Sequence, residues 1–179
     1  MAFELYHQGS RPNHDKAMKR TAPTPVESVT PAKVLRRFRV VFNAVRTHFR
    51  QMEKQVGLGG AQVWALSVIK ANPGIGMGEV ASNMEIHQST ASNLIKTLLR
   101  KELISMEKDP HDRRNVRLKI LPTGSRLLKK VPGPFEGVLP EALSSLSGDT
   151  LLRLDEDLGK LIELLNADEA AEETPLAQL

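Results

Sequence analysis

The chain has 179 residues, 40% of them apolar and only 4% aromatic, and no cysteine, which excludes disulfides, thiolate metal sites and thiol redox sensing together. No run reaches the ~18 consecutive apolar residues of a membrane span, and the N-terminus lacks the apolar stretch of a secretory signal, so a cytoplasmic location is the default expectation. The net charge of +4 is unevenly spread: eleven Lys/Arg stand against four acids from Ile86 to Lys130, but two against ten from Glu141 to Leu179. A basic middle and an acidic end suit one surface turned toward a polyanion and another held off it.

Residues 1–30 read as a flexible, basic tail, with Pro12, Pro23 and Pro25 and no sustained period. Pro31 then stands where a helix can begin. From there Val34, Phe38, Val41, Val45, Phe49, Met52 and Val56 recur at steps of three and four, predicting one long amphipathic helix that Gly57, Gly59 and Gly60 end. A second helix is predicted from about Ala61 to Ala71, closed by Asn72-Pro73-Gly74. A short helix over 78–84 follows, then a four-residue break, Glu85 to Gln88, that leads into a helix running to about Lys101. Leu103 to Lys108 and Val116 to Leu121 read as two strands, the second alternating Val116, Leu118 and Ile120 with Arg117 and Lys119. Between them Asp109-Pro-His-Asp-Arg-Arg-Asn115 makes a charged turn, so the pair reads as a hairpin with a basic tip. Pro122-Thr-Gly124 opens a further helical stretch that Pro132, Pro134 and Pro140 interrupt. Ser147 is a fitting N-cap for a last helix striped by Leu151, Leu154, Leu158, Leu161, Ile162 and Leu165. Residues 167–179 are acidic and expected to fray.

The segment from Met77 to Gly124 carries the chemistry. On the Gln88 helix Ala91, Leu94, Ile95, Leu98 and Leu99 form one apolar stripe. The opposite side presents Ser89, Asn93, Lys96 and Arg100, with Ser92 at its margin and Gln88 and Thr90 in the first turn. No acid occurs between Ile86 and Glu102. Short polar side chains with cations behind them suit a helix laid in the DNA major groove, where amides and hydroxyls reach base edges and cations meet guanine or phosphate. Arg113, Arg114 and Arg117 at the hairpin suit a thin loop entering the narrow, negative minor groove. Asp112 beside them fits a partner that aims an arginine by a charge-assisted hydrogen bond.

The run Asp109 to Gly124 resembles the wing signature of the MarR family of bacterial transcription regulators, its Asp-x-Arg-x-x-Arg core matching Asp112, Arg114 and Arg117. Gln88-Ser-Thr-Ala-Ser-Asn-Leu-Ile-Lys-Thr-Leu resembles that family's recognition helix. The resemblance implies a mainly α fold with a small β-hairpin wing: a winged helix-turn-helix DNA-binding domain over 58–122, with dimerisation helices over 31–57 and 123–166. It implies a homodimer reading a pseudo-palindromic operator on double-stranded DNA. Gln88, Ser89, Thr90, Ser92, Asn93 and Lys96 would then meet the major groove. Asp112, Arg113, Arg114 and Arg117 would serve the wing, with Arg114 in the minor groove. A repressor released by a small aromatic or anionic effector is the functional expectation, with no resident cofactor or metal. Phe42, His48, Phe49 and Trp64 are the candidate lining of an effector pocket. The sequence departs from the family at His87, where a small capping residue is usual, at the three prolines that break a usually long linking helix, and in the long N-terminal tail.

No Gly-x-Ser-x-Gly, His-Glu-x-x-His or phosphate-loop motif is present, so the sequence gives no sign of an enzyme. Gly74-Ile-Gly-Met-Gly78 is glycine-rich but lacks the phosphate-loop lysine and reads as a turn. Two other readings use the same residues: a nonspecific architectural DNA-binding protein, and a winged-helix interaction module without DNA binding.

Overall fold

The structure, a computed structural model, describes residues 29–108, 116–167 and 173–178. Its first helix, α1 (Pro31–Val56), opens on Thr30, whose hydroxyl accepts from Lys33 N at 3.3 Å, with Pro31 at its first position. It ends at Gly57, where φ of 66° needs the left-handed region that glycine enters freely. Only Val45, Phe49 and Met52 of α1 are buried, all in its C-terminal half. The N-terminal half is mostly exposed.

The body is built around α2 (Gly60–Ala71), whose Val63, Ala65, Leu66 and Ile69 have no solvent exposure at all. Packed on it are α3 (Met77–Asn83), α4 (Gln88–Arg100), an antiparallel hairpin of β1 (Ile104–Lys108) and β2 (Val116–Ile120), and α5 (Pro122–Leu128). The hairpin register pairs Ile104 with Ile120 and Lys108 with Val116. Ile75 adds a bridge to Leu118, through Leu118 N donating to Ile75 O at 2.9 Å, and so sews the turn before α3 to the wing. On β2 Leu118 is buried while Arg117 and Lys119 are exposed, the alternation that a half-buried strand requires.

Both turns that aim α4 share one device. Glu85 N donates to Ser82 O and Ile86 N to Ala81 O after α3; Glu102 N donates to Leu99 O and Leu103 N to Leu98 O after α4. These paired bonds are the Schellman closure, which puts one residue in the left-handed region, usually glycine. Here Glu85 (φ 52°) and Glu102 (φ 53°) fill that position, and the apolar contacts that accompany the motif come from buried Ile86 with Ala81 and Leu103 with Leu98.

After α5 the prolines take effect. The segment 129–137 is non-helical and includes a cis Gly133–Pro134 peptide. Next come α6 (Val138–Ser144) and α7 (Gly148–Leu165), the latter capped by Ser147 accepting from Thr150 N at 3.4 Å. A linking helix does not run unbroken here, because proline lacks the N–H that a helix interior uses. None of the residues of α7 is buried. Residues 173–178, which sequence composition assigns to a frayed end, instead lie against the body. Pro175 is buried and a single 3-10 turn, Leu176–Gln178, rests on α1 and α2. No helix among the described residues is long and apolar enough to cross a membrane.

Candidate nucleic-acid interface

The apolar stripe of α4 is driven inward: Ala91, Leu94, Ile95 and Leu98 are buried against α2 and α3. Helical geometry then leaves the other side to solvent. Gln88, Ser89, Asn93, Lys96 and Arg100 are exposed, and Thr90 and Ser92 are half-buried at the margins. Among the described residues, none of Gln88, Ser89, Thr90, Ser92, Asn93 and Lys96 spends its side chain on an internal hydrogen bond or ion pair. Along this face Arg100 donates to the Thr97 hydroxyl at 3.3 Å, and that hydroxyl donates to the Asn93 backbone carbonyl at 3.1 Å. A row of uncommitted donors and acceptors, without an acid from Ile86 to Lys101, is chemically fitted to base edges and phosphates.

The helix begins at His87, which provides no side-chain cap to the first turn. Its Nδ1 instead pairs with the carboxylate of Glu173. Sequence periodicity gives no hint of that contact, since 86 positions separate the two. On the wing, Arg117 is exposed on β2 and Lys119 pairs with Glu107 of β1 at 2.8 Å, which turns the strand's acid to an internal partner. Asp112, Arg113 and Arg114 lie outside the described residues.

The four residues named as a pocket lining separate in the structure. Phe42 and Phe49 line a cleft of about 450 Å³ with Val45, Arg46, Arg50 and Leu139. Phe49 and Trp64 line a smaller cavity of about 180 Å³ with Met84, Ile86 and Val138. His48 lines neither; its Nε2 lies 2.9 Å from the Pro134 carbonyl oxygen, on the linker after α5. The Phe49 ring itself fits because a Cβ at Gly60 would run into it, and one at Gly137 (φ 113°) would come within 2.8 Å of its Cζ. Two glycines 77 positions apart thus make room for one aromatic ring. Among the described residues no three His, Asp or Glu side chains gather as metal ligands.

A tri-helical core, a second helix of the turn motif with an open polar face, and a two-stranded wing define a winged helix-turn-helix protein. Residues 56–115 match the family model described as MarR family. Over that segment the chain is similar to the MarR family of transcription regulators. It is 26% identical over 137 residues to the HTH-type transcriptional regulator YsmB of Bacillus subtilis (strain 168), across 76% of this chain and 92% of that protein. It is 27% identical over 118 residues to the HTH-type transcriptional repressor MdtR of the same organism, across 66% of this chain and 76% of that one. Among solved structures, the S. aureus MepR–DNA complex has the same fold, with a TM-score of 0.52 and 20% identity over 77% of this chain and 99% of that one. Both named relatives are transcriptional regulators by name.

Proposed function

We propose that this chain is a sequence-specific DNA-binding transcription repressor that grips a pseudo-palindromic operator as a homodimer. The observation that carries it is the exposed, acid-free and internally uncommitted face of α4. A nonspecific binder needs only cations, whereas Gln88, Ser89 and Asn93 offer the amides and hydroxyl that discriminate base pairs. The relative named as a repressor, MdtR, and the DNA-bound MepR structure of like fold support the same reading.

Pairing of two copies has its own support. α7 exposes Leu151, Leu152, Leu158, Ile162, Leu164 and Leu165, and the N-terminal half of α1 exposes Val34, Leu35, Val40, Val41 and Phe42. Apolar helix faces left open in this way support an interface. A two-fold dimer would set two α4 helices about one helical turn apart, ~34 Å, and so select inverted half-sites. The cleft holding Phe42 and Phe49, lined also by Arg46 and Arg50 against one acid, Glu53, fits a small aromatic or anionic effector that shifts the spacing of the two parts.

Selection of bound duplexes from a random pool tests the assignment, with enrichment of an inverted repeat as the expected result. Replacing Asn93 with Ala should relax preference at one base position by about 1–3 kcal/mol, while Lys96→Ala should weaken all duplexes alike and lower the salt slope by about one. A pool that stays random after selection excludes base readout and leaves the architectural alternative.

A further inference from the structure

Beyond α7 the chain comes back to the body in a specific way. Leu176 lines both cavities beside Phe49, and Thr174 and Pro175 line the smaller one with Trp64. At the other end of the same segment Glu173 pairs with His87 at the start of α4. Glu173 also shares an open hollow with Gln88, Ser82 and Glu85. We propose that residues 173–178 form an autoinhibitory strap: buried Pro175 and the inner side of Leu176, itself 40% exposed, seat it against α1 and α2, and Glu173 holds a carboxylate at the end of α4 that would enter the groove.

The physical conflict is electrostatic. A helix N-terminus presents unsatisfied N–H groups and the positive end of the helix dipole, which attract an anion. Recognition helices meet base edges with their N-terminal residues, so a phosphate-rich surface must approach this end. Glu173 already supplies the anion there, and the sequence places Asp168, Glu169 and Glu172 just before it. Strap and DNA therefore oppose each other, and by linkage each weakens the other's hold by the same factor. The seat is apolar and the tether is polar, so the two functions of the strap can be separated by substitution.

The strap rests on the DNA-binding proposal above, and the test distinguishes the two. Duplex affinity and its salt dependence are measured for the full chain, Leu176→Asp and Glu173→Gln, with emission of Trp64, the sole tryptophan, reporting the seat. Leu176→Asp should red-shift Trp64 and tighten binding about tenfold at low salt, although it adds an acid that bulk charge alone would turn into weaker binding. Glu173→Gln should leave Trp64 emission as it is and tighten binding about threefold. A chain ending at Ala167, strap removed outright, should bind at least as tightly as Leu176→Asp. Unchanged Trp64 emission in Leu176→Asp would show that the segment is not seated there. Shifted emission with unchanged or weaker affinity would show that the seat has no bearing on DNA; either result overturns the strap. Equal affinities across the set sink the strap alone, whereas failure of every variant to bind any duplex sinks the DNA-binding proposal with it.

Discussion

The body from Gly60 to Val131 closes its apolar faces on itself, while α7 and the N-terminal half of α1 leave theirs open. In the body α2 is wrapped by α3, α4, α5 and the hairpin, and its inward side chains lose all contact with water. In α7 the leucine stripe is as regular as in α4, yet Leu151 is 43%, Ile162 41% and Leu165 66% exposed. The same amphipathic pattern thus has two outcomes. Where a partner helix of the same chain lies within a short loop, the stripe becomes core; where none does, it remains a surface that a second molecule can cover. Sequence periodicity alone does not separate the two cases, because both obey the 3.6-residue repeat.

The largest effect should come from spoiling the open surface. In a two-fold interface every substituted residue counts twice. Leu158→Asp with Ile162→Asp removes four apolar side chains per dimer, each worth about 1.5–3 kcal/mol when buried, so the dimer should weaken by on the order of 10⁴-fold or more. Sedimentation at micromolar concentration should then show a monomer whose body still melts cooperatively. A dimer that survives both aspartates would mean that α7 is not the interface.

Leu66→Ala attacks the closed surface instead. Leu66 has no exposure, so its truncation should destabilise the body by about 2–5 kcal/mol through lost burial and a cavity. If body and flank are independent, the same loss should appear in the monomeric Leu158→Asp/Ile162→Asp background to within about 0.5 kcal/mol. Thermal or urea melts of the four proteins in that cycle measure it. A large coupling energy would erase the distinction between the two regions.

The contrast also explains what was legible in the residues. Strong local periods placed α1, α2, α4, α7 and both strands to within about a residue of their observed ends. Capping chemistry at Pro31, Gly57 and Ser147 reinforced them. Legible too was the polar face of α4, since its apolar stripe fixes which side turns outward. The cleft was less so. Phe49 sits there because Gly60 and Gly137 both spare it a Cβ, and His48 next to it turns out to the Pro134 carbonyl instead. Neither fact follows from spacing, because each depends on a linker whose path the prolines set. Residues 173–178 carry no period at all. Their seat is decided by a tertiary groove, and the acidic composition before them reads as solvated chain.

The smallest effect sharpens the comparison through the backbone. Glu102 holds φ at 53° to close α4 and start the wing, a conformation that costs a non-glycine residue roughly 1–2 kcal/mol. Glycine there would relieve that strain but would lose about 0.4–1 kcal/mol to the greater freedom of the unfolded chain. The Thr123 hydroxyl donates to the Glu102 carbonyl at 2.6 Å, a bond that a side-chain change leaves in place. Glu102→Gly should therefore raise body stability by about 0.5 kcal/mol, at every protein concentration. Asn166 holds a similar φ of 48° at the end of α7. Because α7 buries nothing within one chain, Asn166→Gly should register only through assembly, as a melting midpoint that moves with concentration. A concentration-independent shift for Asn166→Gly would place α7 with the body after all, and would break the division between the two regions at its weakest joint.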